Sequence, residues 1–310
     1  MLGINRRNAD FIMQLNSRRN FPVVDNKVLT KELAIQHGVP VPELYGVIST
    51  PHEIRRLPSM IAGRPEFVLK PAQGSQGDGI LVIVDCRKER YRTAGGRLLD
   101  RDDLEHHLTN ALSGQFSLAG LPDVVMVEYC VHFDRVFDEI SFQGVPDLRV
   151  IVYRGYPVMC MVRLPTRQSQ GKANLHQGAV GAGVDVATGV TRPAVGVGNV
   201  LVEEHPDTGA IIAGRVIPYW HQVLAMAARC YELTGLGYLG ADIVLDADFG
   251  PLLLELNARP GLNVQIANQD GLRRRLRALD ALALQSHNAE ERVALAIELA
   301  ERGYDPPCAA

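Results

Sequence analysis

Apolar side chains recur along this chain with two periods, one of about 3.6 residues and one of about two, and these periods predict its helices and strands. Residues 25–38 show the helical period, with apolar side chains at Val28, Leu29, Leu33 and Ala34. Asp25 is suited to cap the start of this helix, Gly38 to end it, and Pro40 to prevent its continuation. We therefore expect a helix over residues 25–38.

The same patterns predict further elements. Strands are expected at residues 44–48, 66–69, 80–85, 124–129, 241–246 and 251–257, with a two-stranded hairpin around Arg154 and Gly155. Helices are expected at residues 102–113, 216–234, 271–285 and 289–302, the last capped by Asn288 and ended by Gly303. Residues 164–196 are rich in Gly, Gln and Asn and predict a long functional loop. This order of elements predicts an α+β, or mixed α/β, body of two joined lobes.

Composition and charge narrow the class of protein. The 310 residues suffice for two domains, and the contents of 46% hydrophobic and 22% charged residues exclude a disordered chain. A formal net charge of −3 provides no basic field, so we expect no nucleic-acid partner. The five cysteines are scattered without a CxxC pair, which indicates reduced thiols. No apolar run approaches the ~18 residues of a membrane span, and no signal peptide is recognisable, so we expect a cytoplasmic protein without membrane insertion.

A glycine-rich loop, AQGSQGDG, follows Lys70 and Pro71 and connects two of the expected strands. The glycines at positions 74, 77 and 79 allow backbone N–H groups to approach phosphate oxygens closely, and Lys70 adds a positive charge beside them. The lysine precedes the glycines and no helix follows them, so this segment is not a Walker loop. Taken alone, it is compatible with a phosphate-binding loop or with a mobile hairpin turn.

Three oxygen-bearing side chains interrupt the two apolar strands expected at 241–246 and 251–257. Glu255 and Asn257 lie two residues apart and so share a face of their strand, where Asp242 of the preceding strand can meet them. Two carboxylates and one amide oxygen are suited to a Mg²⁺ ion that bridges nucleotide phosphates. A solvated acidic face is the alternative, and it is disfavoured because an unpaired charge among apolar residues costs on the order of several kcal/mol.

Other motifs carry less information. The segment GLGYLG at residues 235–240 matches the dinucleotide-binding pattern, but it stands between an expected helix and a following strand, the reverse of the required order. The histidines show no zinc-binding spacing, and no serine nucleophile elbow is present. The residues from Arg163 to Gly178, preceded by Asp147 and Arg149, would by themselves be a polar loop.

Taken in order, these segments resemble the ATP-grasp ligases, and among them the RimK-type α-L-glutamate ligases. The resemblance is carried by DNKVLTKELAIQHGVPVP, FVLKPAQGSQGDGI, VMVEYC, DLRVIVYRG, KANLHQGA, LGADIVLD and GPLLLELNARPGL. It implies the ATP-grasp fold, in which two α+β lobes sandwich the nucleotide. The implied division is a short N-terminal segment over 1–24, a first lobe with a glycine-rich flap over 25–130, a second lobe with the magnesium site over 131–268, and a helical tail over 269–310.

The resemblance also implies roles for particular residues. Those matching ATP-binding positions are Lys27 and Lys70 at the phosphates, Gly74, Ser75 and Gly77 in the flap, Glu128 and Tyr129 at the adenine hinge, Asp147 beside the ribose, and Lys172, Ala173 and Asn174 in a nucleotide-contacting loop. Asp242, Glu255 and Asn257 match the ligands of two Mg²⁺ ions, with Glu255 bridging them and Mn²⁺ as a substitute. Arg149, Arg163 and Arg259 match catalytic positions, the last two stabilising charge on the transferred phosphoryl group and the acyl intermediate.

The implied function is ATP-dependent formation of an amide or peptide bond through an acyl phosphate. Glutamate or another amino acid would be joined to a carboxylate-bearing peptide, protein or small-molecule acceptor. A small-molecule kinase of the same fold and a regulatory or partner-dependent ATP-binding protein are the alternatives.

This sequence departs from the family pattern in two places. Only 24 residues precede Asp25, where relatives carry a complete N-terminal domain, so we expect a truncated N-terminal region. Part of the acceptor site is then missing, rebuilt by the tail, or supplied by a partner subunit or a homo-oligomer. Lys172 and Ala173 stand where RimK-type relatives tend to have Arg-Ser, which leaves the acceptor open.

Overall fold

The computed structural model describes residues 1–74, 77–117, 120–282 and 288–304, and the chain divides into two compact units. The smaller unit comprises Asn26–Glu32 and Val41–Val131. The larger unit comprises Met1–Asp25, Leu33–Pro40 and the chain from His132 onward. Each unit contains one antiparallel sheet and its own apolar core.

Thirteen strands and ten α-helical segments lie in the described part of the chain. The strands are β1 (Leu44–Ile48), β2 (Phe67–Pro71), β3 (Leu81–Arg87), β4 (Arg90–Thr93), β5 (Leu98–Leu99), β6 (Val125–Glu128), β7 (Asp147–Tyr153), β8 (Tyr156–Leu164), β9 (Val180–Val184), β10 (Thr191–Val195), β11 (Leu201–Val202), β12 (Tyr238–Asp246) and β13 (Gly250–Asn257). The helices are α1 (Ile4–Arg6), α2 (Met13–Leu15), α3 (Phe21–Asp25), α4 (Lys27–Gln36), α5 (Leu57–Met60), α6 (Arg101–Leu112), α7 (Trp220–Thr234), α8 (Asn263–Ala267), α9 (Leu272–Ala281) and α10 (Ala289–Glu301). A π-helical stretch over Arg7–Ile12 joins α1 to α2, so residues 4–15 are helical throughout.

The smaller unit is a six-stranded sheet in the order β1-β6-β2-β3-β4-β5, with antiparallel neighbours throughout. Helix α6 begins at a capping box formed by Asp100 and Asp103. Leu104 and Leu108 of this helix join Phe67 of the sheet in one apolar cluster. The amphipathic spacing of α6 therefore supplies the core of this unit.

The larger unit is a seven-stranded antiparallel sheet in the order β11-β10-β9-β8-β7-β12-β13. Its central strands β7, β8 and β12 are buried along almost their whole length, as their apolar sequences predict. The core includes Val158 of β8 and Leu276 of α9, and the N-terminal segment adds Leu2, Phe11 and Ile12. The first residues of the chain are thus part of the larger core.

Most expected elements are confirmed, with shifts of a few residues at their ends. The cap of α4 is a correction. Asp25 is the last residue of α3, and the Asn26 side chain instead accepts hydrogen bonds from the N–H groups of Val28 at 3.0 Å and Leu29 at 3.4 Å. The reason is that helix α3 extends to Asp25, so α4 has to start one residue later than the isolated pattern suggests.

The expectation of one long loop over residues 164–196 is wrong, because β9 and β10 lie inside it. Glycines made this segment look irregular, yet they allow a buried strand to approach helix α8. A Cβ atom on Gly183 would lie 2.8 Å from the carbonyl oxygen of Ala267 at the end of that helix. Small residues here thus reflect close packing of a strand.

Two further expectations concern the cysteines and membrane-spanning helices. Cys86, Cys130, Cys160 and Cys230 are free thiols. No helix in the described ranges combines the length and the apolar character needed to cross a lipid bilayer.

Candidate active site

Four neighbouring strands of the larger sheet, β8, β7, β12 and β13, carry a row of charged side chains on one face. Asp147 lies opposite Arg163. In the same register Asp242 lies opposite Arg149 on one side and opposite Glu255 on the other. Residues two apart on a strand share a face, so all five side chains project to the same side of the sheet.

A β-bulge in β13 decides this arrangement. Ile243 pairs with Leu253, whereas Asp242 pairs with Glu255, so Leu254 is an extra residue in β13. Without the extra residue, Asp242 would lie opposite Leu254, and Glu255 would project from the other face of the sheet. The bulge therefore brings the two carboxylates together.

The row is held by two bidentate ion pairs. The Arg163 guanidinium donates to both carboxylate oxygens of Asp147 at 2.5 Å and to Asp242 Oδ2 at 2.8 Å. Arg149 donates to both oxygens of Asp242 at 2.7 and 2.5 Å. Asp242 thus receives two guanidinium groups, an arrangement that fixes all three side chains in the plane of the row.

The charged row carries a net negative formal charge. Burial alone would raise the pKa of Asp242, but Arg149 and Arg163 hold that pKa well below its usual value. Burial raises the pKa of Asp147 to about 6, against the opposing effect of Arg163. Asp147 and Asp242 are then mostly ionised at neutral pH. The formal charges of two guanidiniums and three carboxylates sum to 2 − 3 = −1, so the row has one formal negative charge in excess.

A second charged cluster lies in the smaller unit, where Glu128 of β6 is buried between two lysines. Lys31 of α4 lies 2.5 Å from Glu128 Oε2, and Lys70 of β2 lies 2.6 Å from Oε1. The side chains are at most 7% exposed. Burial alone would raise the pKa of Glu128, but Lys70 and Lys31 lower it. The carboxylate therefore remains ionised and holds Lys70 at the end of its strand.

The glycine-rich loop after β2 is anchored at its two ends. The Gln73 N–H donates to Asp123 Oδ2 at 2.9 Å, and Lys27 donates to the Gly74 carbonyl at 2.6 Å. At the other end, the Gly79 carbonyl lies 3.1 Å from His107 Nε2. Ser75 and Gln76 lie outside the described residues, and with them the expected role of Ser75 in a flap.

Comparison with known proteins now gives the family. Residues 6–281 match the family model described as sugar-transfer associated ATP-grasp, which covers most of the chain. This chain belongs to the ATP-grasp family.

Relatives of this ATP-grasp protein are distant. It is 24% identical over 251 residues to a probable alpha-L-glutamate ligase of Parasynechococcus marenigrum, a match that covers 81% of this chain and 39% of the relative. The chain thus spans about two fifths of that curated relative. The Rhizobium etli pyruvate carboxylase structure matches with a TM-score of 0.52 at 17% identity, over 94% of this chain and 21% of the other. The structure of the ATP-grasp ligase PsnB complexed with minimal precursor matches with a TM-score of 0.42 at 17% identity, over 92% of this chain and 63% of the other.

An ATP-grasp protein is expected to bind Mg²⁺, and the side chains present fit that ion. The Asn257 amide nitrogen lies 3.3 Å from Asp242 Oδ2 and 3.4 Å from Glu255 Oε1. A half turn of the amide replaces this nitrogen by its oxygen, so that three hard oxygen donors face one another. The excess negative charge of the row favours a cation there.

The other expected site residues lie in loops and turns outside the strands that carry the two clusters. The Arg259 guanidinium stacks 4.9 Å from the ring centroid of Phe21. The Asn174 side chain accepts from the His176 N–H at 3.0 Å and caps a short 3₁₀ turn. Lys172 and Ala173 are half-buried in the loop before that turn. The Tyr129 N–H donates to the Glu43 carbonyl at 2.9 Å.

The sequence did not predict that Lys31 belongs to the cluster around Glu128. The expected apolar face of α4 included Leu29, which is 40% exposed, whereas Lys31 is 3% exposed. One signal was available, because Lys31 follows Lys27 by four residues and so lies on the same side of the helix. Only the position of Glu128 shows why a lysine is buried there.

Proposed function

We propose that this ATP-grasp chain is an ATP-dependent ligase that joins a carboxylate to an amine through an acyl phosphate. The observation that carries this proposal is the charged row of β8, β7, β12 and β13, in which three oxygen donors face one another beside two guanidiniums. Membership of the ATP-grasp family supports it. Under this proposal the cofactors are ATP and two Mg²⁺ ions, with Mn²⁺ as a substitute.

The chemistry follows from the weakness of a carboxylate as an electrophile. Transfer of the γ-phosphoryl group of ATP to a carboxylate oxygen creates a good leaving group, and the amine then displaces phosphate to form the amide. Such a reaction depends on positioning and on neutralising charge as the phosphoryl group moves. A nucleophilic side chain is not required for it.

The charged side chains of the row have proposed roles in positioning and in neutralising charge. Asp242, Glu255 and Asn257 hold the metal, which when bound neutralises phosphate oxygens. Arg149 and Arg163 position Asp242, and Arg163 provides positive charge for the transferring group. Arg259 is proposed to act on the same group.

In the smaller unit, the proposed role of Lys70 is to bind ATP phosphates, with Glu128 and Lys31 fixing its position. Lys27 shares this role, and Gly74, Ser75 and Gly77 cover the phosphates. The proposed nucleotide contacts further include Tyr129, Asp147 and the segment 172–174.

Glutamate is the proposed amino-acid substrate, because the curated relative is named a probable alpha-L-glutamate ligase. The second substrate is proposed to be a peptide, a protein or a small molecule that bears a carboxylate. Completion of the acceptor site by a partner subunit or a second copy, and a cytoplasmic location, remain proposals.

The test combines a product assay with a matched pair of variants. Hydroxylamine traps an acyl phosphate as a hydroxamate, so we expect hydroxamate that depends on ATP, Mg²⁺ and glutamate or a glutamate-ended peptide. Glu255→Gln keeps the side-chain volume but removes a charge, and it should lower ADP formation at least about 100-fold. The control, Glu290→Gln, alters an exposed carboxylate of α10 and should retain the wild-type rate.

Different failures have different meanings. Undiminished ADP formation by a folded Glu255→Gln variant would exclude the proposed metal site. Stable transfer of phosphate to a hydroxyl group, with no hydroxamate from any carboxylate, would instead identify a kinase. If neither assay shows turnover, the proposal that this chain is active by itself is contradicted.

A further inference from the structure

A cleft of about 370 Å³ lies in the larger unit, where α9 and the N-terminal helical stretch meet the turn between β7 and β8. Its charged lining consists of four arginines and two aspartates, namely Arg6, Arg154, Arg273, Arg277, Asp10 and Asp280. Strand β7 runs from the charged row to this cleft, since Arg149 belongs to the row and Tyr153 lines the cleft. Four residues of extended strand place these two residues about 13 Å apart.

The cleft contains more positive than negative charge. Arg6 pairs with Asp10 at 3.2 Å, and Arg154 lies 3.9 Å from Asp280. Asp280 also accepts a hydrogen bond of 2.6 Å from the Tyr153 hydroxyl. Both carboxylates of the cleft are therefore already engaged.

Arg273 and Arg277 have no carboxylate partner within the described ranges. They are four residues apart on α9, so their guanidiniums lie on the same side of the helix, where like charges repel. Arg277 and Arg6 accordingly lower the pKa of Arg273. The other two arginines in this segment differ, since Arg274 and Arg275 both pair with Asp270.

Beneath the arginines, the floor of the cleft is apolar and firmly packed. Phe11 and Tyr153 meet edge to face with ring centroids 5.8 Å apart, and they are 8% and 2% exposed. Leu15 completes this floor. The cleft thus brings partly exposed guanidiniums and a fixed aromatic floor into one concave site.

We propose that this cleft is a binding site for the phosphate group of a small phosphorylated molecule. A carboxylate has one charge and two oxygens, which a single arginine satisfies. A phosphate monoester has nearly two charges and three free oxygens at neutral pH, and so suits Arg273, Arg277 and Arg6 together. The aromatic floor favours a ligand with an apolar part next to its phosphate.

Calorimetric titration of the full chain with inorganic phosphate and with phenyl phosphate, at fixed chloride concentration, tests this proposal. We expect saturable binding of both, with phenyl phosphate binding several-fold more tightly because it covers the floor. The double variant R273Q/R277Q removes two charge-assisted contacts and should weaken binding at least about tenfold. Inorganic phosphate binding more tightly than its phenyl ester would show that the free ion, rather than a monoester, is the ligand.

The control is R274Q, which changes the same charge on the same helix outside the cleft and should bind like the wild type. Arg277 is exposed and Arg273 half-buried, so the double variant should fold, which an unchanged melting temperature would verify. Equal binding by R273Q/R277Q and wild type would overturn the proposal. Linear, unsaturated heats in the wild type would do the same, since they would indicate a general salt effect.

Discussion

Lys31 illustrates how a single buried charge is made acceptable. It is enclosed in the smaller unit, where Glu128 neutralises it and the Pro42 carbonyl accepts a second hydrogen bond at 2.5 Å. Burial lowers the pKa of Lys31 although Glu128 acts in the opposite direction. Such a pair stabilises little relative to an apolar pair, but loss of one member leaves the other charge buried without its partner.

Lys31→Met should therefore destabilise the protein by about 3 kcal/mol, because Glu128 keeps only Lys70 as a partner. Urea unfolding followed by circular dichroism measures this loss. Arg92→Met is the control, because it breaks an exposed pair with Asp85 in the same unit and should cost less than about 0.5 kcal/mol. Similar costs for the two variants would contradict the significance given to burial of the Lys31 pair.

At the scale of elements, register determines the chemistry of the larger sheet. Strand pairing sets Asp147 opposite Arg163 and Arg149 opposite Asp242, and the bulge at Leu254 adds Glu255 to their face. A shift by one residue in any of these strands would place its charges among the apolar residues of the other face. The apolar residues on the other face of β7 and β12 thus protect the arrangement of the row.

The conformation of the glycine-rich loop depends on Gly79, whose carbonyl anchors the second end of the loop. Gly79 has a φ of 76°, and a Cβ atom there would lie 2.5 Å from the Phe116 ring. Gly79→Ala should therefore cost about 1–2 kcal/mol for its backbone conformation and about 1–3 kcal/mol more for the clash. Thermal unfolding of the purified variant measures the total.

Gly96→Ala separates these two contributions. Gly96 has a similar φ of 81°, but nothing lies within 4 Å of a Cβ atom added there. This variant should show only the backbone cost of about 1–2 kcal/mol. If both variants lose the same stability, contact with Phe116 does not constrain the loop.

At the scale of the whole molecule, residues distant in sequence are joined within the larger unit. The Asn16 side chain donates to the Tyr238 carbonyl at 2.7 Å and to the Ala258 carbonyl at 3.2 Å, and it accepts from the Tyr238 N–H at 2.9 Å. It thereby links the N-terminal segment to the beginning of β12 and to the residue that follows Asn257. A segment expected only to precede the first lobe is part of the support for the proposed metal site.

Asn16→Ala should destabilise the protein by about 2–3 kcal/mol, because it leaves buried backbone groups of Tyr238 without partners. Asn20→Ala is the matched control, since its bond to the Gly235 carbonyl is exposed and 3.4 Å long, and it should cost less than about 0.5 kcal/mol. Urea unfolding compares the two variants. A neutral Asn16→Ala would show that the N-terminal segment contributes little to the larger unit.

The sequence by itself determined the fold family, most helices and strands, and the residue types of the two charged clusters. Each of these follows from local periodicity and from motifs in a recognisable order. Both can be read from one sequence without knowing which residues are in contact. Asp242, Glu255 and Asn257 could be selected because charges interrupting apolar strands are costly unless they are used.

Tertiary structure alone decided how those residues meet. The bulge at Leu254 sets which face Glu255 occupies, and contact with Glu128 explains why Lys31 is buried, which the apolar pattern of α4 did not predict. Close packing against α8 turned a glycine-rich segment into strand β9. In each case the deciding partner is distant in sequence, so no local pattern could reveal it, and the free energy of packing outweighed the local preference.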